Sequence, residues 1–345
     1  MLSPMFSILL IPFLVAMFQA ITMGGSGTSP AFSAAFGSDC IRKDLIPGLF
    51  GIFVFAGAVV AGKKVVLTMG SGVLPAEAMS LILTTIILLS VSLSMLMANI
   101  LGIPQSTSQA TVFALIGPAL YYDILKTDKL LFEIIPTWFI LPIISFLLTL
   151  LIGKFIYMPI LRRDNIQFKN MTVHPGLKIL VIVVSCYVAF AIGSNNVANA
   201  AGPIASMVLR ELNIEPAGDN FVLILLMATL VIAPCFGIGS SIFGAKIVRT
   251  TGKEIIDFGP LGATFISIIT ATLLIFASAV RGIPTSLVQL NTAAIIALGI
   301  TKVGWKNVLS SSSVKKLLVV WIIAPIISLV FSLLLTYGAE KMGLL

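Results

Sequence analysis

Charge is scarce in this chain: Asp, Glu, Lys and Arg make up 10% of its 345 residues, where a soluble domain carries about 25%. That excludes an ordinary soluble globule, and a hydrophobic content of 58% excludes a disordered chain as well. Cysteine is scarce too. Cys40, Cys186 and Cys235 are odd in number, far apart and set in or beside apolar runs, so they read as small buried hydrophobes. No CxxC or metal-type spacing exists, and a disulfide-stapled secreted domain is excluded. Histidine occurs once, His174, in the most polar loop. The absence of a P-loop sequence argues against a primary pump in one chain. The basic excess, +8 overall, is scattered over loops and is no footprint for nucleic acid. Neither a metal nor a cofactor is expected.

What is present is a succession of apolar runs. They cover 5–23, 45–62, 78–101, 104–121 and 131–155, and then 177–193, 221–243, 259–280, 284–301 and 317–338. At roughly 20 residues per membrane-spanning helix, the length holds about ten spans. Two further runs, 25–38 and 194–209, are short and rich in Gly, Ser and Asn, and are expected to re-enter or break instead of crossing as ordinary helices. No Lys or Arg precedes the first run, so it reads as a retained span and not a cleaved leader.

The chain repeats itself. Trp138-Phe139-Ile140-Leu141-Pro142-Ile143-Ile144-Ser145 recurs as Trp321-Ile322-Ile323-Ala324-Pro325-Ile326-Ile327-Ser328, 183 residues on. Gly102-Ile103-Pro104-Gln105-Ser106 recurs 180 residues on as Gly282-Ile283-Pro284-Thr285-Ser286, and Gly62-Lys63-Lys64 recurs 182 residues on as Gly244-Ala245-Lys246. Gly25-Ser26 matches Gly193-Ser194 at 168. The expected organisation is a first transmembrane repeat at 1–156, a polar cytoplasmic linker at 157–176 and a second repeat at 177–345. The expected fold is an all-α polytopic membrane protein of two repeats, each of about five spans plus a short re-entrant or broken helix. An odd number of spans per repeat makes the topology inverted. Loop charge agrees: with the N-terminus outside, fourteen basic residues, Arg42 and Lys43 among them, face inward. Seven (Lys63, Lys64, Lys126, Lys129, Arg210, Arg281 and Lys341) face outward.

Two kinds of segment break the apolar rule, each twice. The first is Gly24-Gly25-Ser26-Gly27-Thr28-Ser29-Pro30 and Gly193-Ser194-Asn195-Asn196-Val197-Ala198-Asn199. Polar, backbone-rich stretches inside hydrocarbon are tolerated only where protein or water surrounds them. Three asparagines within five residues would be costly against lipid. They point to a solute or ion site, with close helix packing through small residues as the competing reading. The second kind is Pro104-Gln105-Ser106-Thr107-Ser108-Gln109 and Pro284-Thr285-Ser286-Leu287-Val288-Gln289. Proline suits a first helical turn. The hydroxyls there either cap the helix or, beside free N–H groups, face an anion.

Doubled and in this order, these motifs resemble those of the inorganic phosphate transporter family. Its signature, Gly-Ala-Asn-Asp-Val-Ala-Asn, is matched by Gly193 to Asn199 with Asn196 in place of Asp. The first copy keeps little beyond Gly25, with Thr28 in place of Asp. The later motif, Pro-x-Ser-Thr-Thr-His, is matched at Pro104, Ser106 and Thr107 and at Pro284 and Ser286, with Gln109 and Gln289 in place of His. The degenerate first signature and the run Ala98-Asn99-Ile100-Leu101-Gly102-Ile103-Pro104 are similar to the family's bacterial sulfate permease branch. The resemblance implies a secondary transporter for sulfate, or alternatively phosphate, with an anion site near the membrane midplane. The implied site residues are Gly25, Ser26, Gly27, Thr28, Ser106, Thr107, Ser108, Gly193, Ser194, Asn195, Asn196, Asn199, Thr285 and Ser286. Arg281 either adds a positive charge there or snorkels at a helix end. With both Asp positions neutral, the family's sodium ligands are missing, so sodium coupling is not expected and a coupling proton is left open. Sulfate only accepts hydrogen bonds, and a site without a carboxylate suits it.

A membrane-embedded enzyme would need a nucleophile and base or a metal cluster in the spans, and none is evident. A passive anion channel would share the repeats and polar half-helices. The expected setting is the cytoplasmic membrane, with a lipid bilayer and an inorganic anion as partners. A homodimer is left open.

Overall fold

The computed structural model describes residues 4–101, 105–162, 175–214, 218–244, 259–310 and 312–345. Pro104, His174, most of the linker, and the basic residues Lys246, Arg249 and Lys253 lie outside the described residues. The first half forms α1 (Pro4–Gly37), α2 (Ile46–Ala61), α3 (Lys63–Ser71), α4 (Leu81–Leu101), α5 (Thr107–Tyr121) and α6 (Thr127–Arg162). The second forms α7 (Pro175–Asn196), α8 (Ala198–Glu211), α9 (Gly218–Ile232) and α10 (Pro234–Gly239), which runs on as a π-turn at Ser240–Gly244. It continues with α11 (Gly259–Ile275), extended by a π-turn at Phe276–Arg281, then α12 (Leu287–Val303), α13 (Trp305–Ser310) and α14 (Ser312–Lys341).

Backbone groups have no water to bond in a bilayer, so helix is the form each apolar run takes. Along α6 the burial pattern has a helical period: Trp138, Leu141, Ser145 and Thr149 face inward, while Phe139, Ile143, Leu147 and Leu151 are exposed. The exposed stripe is apolar and the buried one carries hydroxyls, the polarity expected of a surface solvated by lipid. Among the described residues no Asp, Glu, Lys or Arg is buried, whereas many Ser, Thr, Asn and Gln are.

Eight helices among the described residues are long and apolar enough to cross a membrane, fewer than the ten runs suggest. The difference lies in α5 and α12, only 15 and 17 residues long. The segments at 104–121 and 284–301 are therefore short helices whose N-termini start inside the protein. A second difference concerns 25–38. It does not form a separate short element, because α1 continues through it for 34 residues, about 51 Å at 1.5 Å per residue. In the second half the helix does break, at Val197 between α7 and α8.

Glycine explains how the long helices approach each other. A Cβ on Gly193 of α7 would lie against the Val54 carbonyl of α2, and one on Gly57 of α2 against the Phe190 carbonyl of α7. The same reciprocal contact recurs between α1 and α10: Gly24 faces the Phe236 carbonyl and Gly239 the Ile21 carbonyl. Each glycine meets a carbonyl three residues before the opposing glycine, so the two crossings are built alike with the halves exchanged. The other pairings exchange in the same way: α5 packs on α14 as α12 packs on α6, and α1 on α4 as α7 on α11. This contact pairs Gly24, not Gly25, with Gly193, which places Gly27 and not Thr28 opposite Asn196. Gly193→Ala is expected to cost about 1–3 kcal/mol by overpacking, measured as a lower midpoint of thermal aggregation in detergent. Gly48→Ala, at a glycine with open space around it, leaves that midpoint no lower.

Gly282 has a structural duty of a different kind. Its φ of +66° stops α11, letting the Gly282 and Ile283 N–H groups bond the Ser278 and Ala277 carbonyls at 3.0 Å. The chain then turns back into the protein as Pro284-Thr285-Ser286.

Candidate functional site

Each short helix starts with a serine cap. Ser106 and Ser286 have extended backbone, and their Oγ atoms accept from the Gln109 and Gln289 N–H groups at 3.3 Å. The Pro-x-Ser-x-x-Gln spacing is thus a capping arrangement made twice. As an acceptor each Oγ still holds its own proton, and the first-turn N–H groups beside it have no partner within the helix.

Neighbouring helices hold these starts in place. The Trp138 indole N–H donates to the Pro284 carbonyl at 2.8 Å and Ser145 Oγ to the Leu290 carbonyl at 2.9 Å, tying α12 to α6. Ser332 Oγ donates to the Ala114 carbonyl at 2.6 Å, tying α5 to α14. Gln105 Nε2 donates to Ser94 Oγ at 2.7 Å and anchors the approach to α5. Such bonds average well under about 1 kcal/mol in membrane proteins, but they fix direction.

Both starts converge on Asn195, fully buried in the last turn of α7. One end of its amide lies 2.8 Å from Ser108 Oγ in α5, and the other lies 2.8 Å from Ser278 Oγ in the π-turn after α11. Hydroxyls donate or accept, so the amide is engaged in either orientation, and turning it over adds a bond to the Thr285 carbonyl at 3.0 Å. The Thr285 N–H points to the same amide. One turn on, Asn199 Nδ2 donates to Thr107 Oγ1 at 3.3 Å and Ser108 Oγ at 3.4 Å. Gln19 of α1 donates to the Asn199 carbonyl at 3.3 Å and Thr111 Oγ1 at 3.5 Å. Asn99 of α4 donates to the Thr22 carbonyl at 2.7 Å.

The structure therefore brings together Ser106, Thr107, Ser108, Asn195, Asn199, Thr285 and Ser286. Asn196 is buried beside them. The first polar stretch lies elsewhere. Gly25 faces Phe243, Gly27 faces Phe50 and Ile192, and Gly193 sits on α2. Ser26, Thr28 and Ser194 bond carbonyls of their own helices, those of Met23, Gly24 and Ala191, at 3.0, 2.7 and 2.8 Å. Arg281 is exposed at the end of its π-turn. Gln19, Thr111 and Ser278 were missed by the sequence reading. Gln19 left a signal, a lone amide within the first apolar run.

The electrostatics follow from the parts. No formal charge is buried among the described residues, and two helix N-termini, each worth roughly half a positive charge, face the same asparagine. Several amide oxygens near them are buried without a partner: Gln19 Oε1, Asn99 Oδ1, Gln109 Oε1, Asn199 Oδ1 and Gln289 Oε1. Each belongs to a side chain that also carries N–H donors. Rotation of the amide presents a donor to an anion or an acceptor to a protonated ligand.

A model of the phosphate transporter family matches residues 23–332. The chain is 34% identical to the sulfate permease CysP of Bacillus subtilis, over 93% of this chain and 85% of that protein. It is 24% identical to a putative phosphate permease of Pyrococcus horikoshii, over 93% and 96%. A solved sodium-dependent phosphate transporter superposes with a TM-score of 0.80 at 20% identity, covering 97% of this chain and 99% of that one.

Proposed function

The chain belongs to the phosphate transporter family, a multi-pass permease for an inorganic anion, and from that membership we propose that its substrate is sulfate, carried by alternating access across the cytoplasmic membrane. The observation that carries this reading is the meeting of two serine-capped helix starts at Asn195 in a buried cluster without formal charge. A dianion leaving water needs many donors. First-turn N–H groups of α5 and α12, the hydroxyls of Ser106 and Ser286, and the amides of Asn195, Asn196 and Asn199 are placed to supply them. Two repeats of inverted topology, rocking about this cluster, open it to each side in turn.

The resemblance to the sulfate permease supports sulfate, as does the absence of a buried carboxylate. One observation favours phosphate instead: the unpartnered amide oxygens of Gln109 and Gln289 are acceptors for the proton that hydrogen phosphate carries and sulfate lacks. Uptake of labelled sulfate into proteoliposomes, challenged with phosphate, thiosulfate, molybdate and selenate at two pH values, decides between them. Competition by thiosulfate, molybdate and selenate with phosphate ineffective supports sulfate. Phosphate displacing sulfate at equal concentration supports the second reading. Sulfate uptake is further expected to persist when choline replaces sodium, because Gly27, Thr28 and Asn196 supply no carboxylate for the cation. Strict sodium dependence would overturn that part of the proposal.

A further inference from the structure

We propose a second oxyanion subsite, at the start of α2 and apart from the Asn195 cluster; its assignment to an anion rests on the transport reading above. A cavity of about 260 Å³ lies there, bounded by Thr28 of α1, by Lys43 and Asp44 before α2, and by Ser240 and Ser241 in the π-turn after α10. Ser240 is 3% exposed, and its hydroxyl has no hydrogen-bond partner.

That hydroxyl is out of pattern. Its neighbours satisfy themselves on the preceding helical turn: Thr28 Oγ1 on the Gly24 carbonyl at 2.7 Å, Thr229 Oγ1 on Leu225 at 2.8 Å and Ser241 Oγ on Gly237 at 3.1 Å. The corresponding acceptor for Ser240 is the Phe236 carbonyl. It already receives the Ser240 N–H and is pressed against Gly24 where α10 crosses α1. The crossing that sets the helix packing thus leaves a buried O–H donor facing the cavity. An unmade bond of this kind is costly, and an acceptor-rich ligand relieves it.

Charge selects the sign of that ligand. Asp44 is paired with Arg42 at 3.5 Å, so the Lys43 ammonium is the cavity's unbalanced charge, and a cation finds no free carboxylate. Tetrahedral oxyanion chemistry fits: oxygens for Ser240 and Thr28, negative charge for Lys43. Thr28 is nine residues from Gln19 on the same helix, a rise of about 13 Å, so the cavity lies one step along α1 from the central cluster. On the loop-charge reading Lys43 is cytoplasmic, which makes the subsite a staging point at the inner mouth.

Two sources share this chemistry, the transported ion and the phosphate of an anionic lipid. The test is equilibrium binding of labelled sulfate to the full chain in phosphatidylcholine nanodiscs, repeated with phosphatidylglycerol added. Wild-type protein is expected to show a tight phase and a weaker one. Ser240→Ala, which removes an unsatisfied group and should fold, weakens only the second phase, by about tenfold or more, the effect of one bond to a charged ligand. Lys43→Gln weakens it several-fold and removes its salt dependence. Asn195→Ala abolishes only the tight phase. If phosphatidylglycerol eliminates the weaker phase, the lipid phosphate occupies the same subsite in the membrane; if it does not, the free ion does. A weaker phase unchanged in both Ser240→Ala and Lys43→Gln, or no weaker phase in wild type, overturns the proposal. Loss of the tight phase alone in wild type would instead count against the central site.

Discussion

Asn195→Ala is expected to lower sulfate uptake by reconstituted protein at least 100-fold. The Asn195 amide joins Ser108 at the start of α5 to Ser278 and Thr285 at the approach to α12. Its removal strands two or three buried groups, at about 1–3 kcal/mol each, and uncouples the two helix starts. A loss of about 3 kcal/mol in anion binding is a factor of roughly 150. Initial rates in proteoliposomes measure it, with the thermal midpoint in detergent reporting whether the protein still folds. Lys302→Ala, at an exposed position outside the cluster, should keep wild-type uptake. Equal losses in both variants would show that the cluster has no special part in transport. Ser286→Ala lies between the two, because a cap contributes about 1 kcal/mol.

The second large effect is expected from adding charge. Asn196→Asp places a carboxylate in a cluster that holds no other, changing one atom's identity and little volume. At roughly 5 Å and an effective dielectric near 20, each unit of like charge costs about 3 kcal/mol. A dianion therefore loses affinity by 100-fold or more. Sulfate uptake in choline should fall by that factor. Phosphate uptake should fall less, since hydrogen phosphate can donate its proton to the new acceptor. By the family resemblance a carboxylate here suits a cation, so sodium should restore part of the sulfate uptake. Sulfate uptake in choline that equals wild type would remove Asn196 from the neighbourhood of the anion.

Much of this was legible before any coordinates. The serine caps at Ser106 and Ser286 follow from a proline, a hydroxyl and the turn that begins there, which is local chemistry. The asparagines at 195–199 stood out because hydrocarbon tolerates few polar side chains. The partner of each polar residue was not legible. Nothing local to Ser278 or Gln19 distinguishes them from the serines and amides elsewhere in the apolar runs, and their roles arise from neighbours 83 and 180 residues away. The first polar stretch shows the opposite error. Gly24, Gly25 and Gly27 resemble a broken, ligand-facing segment in sequence, yet they lie in a continuous helix. Without water the backbone keeps its helical bonds even through glycine, and the missing Cβ atoms are used for close approach to α10, its π-turn and α2. For the same reason Thr28 lies against Ser240 and Gly244 rather than beside Asn195.

Sequence alone determined that the chain is a doubled set of membrane helices with capped short helices and an uncharged polar cluster. The bilayer imposes length, apolarity and internal hydrogen bonding on every segment separately, and each of those demands is written residue by residue. Tertiary structure decided which polar groups meet, how far α1 runs, and which hydroxyl is left unbonded beside Lys43. Those outcomes depend on two glycine-to-carbonyl crossings that bring distant turns within a few ångströms, and no stretch of either helix carries that information by itself.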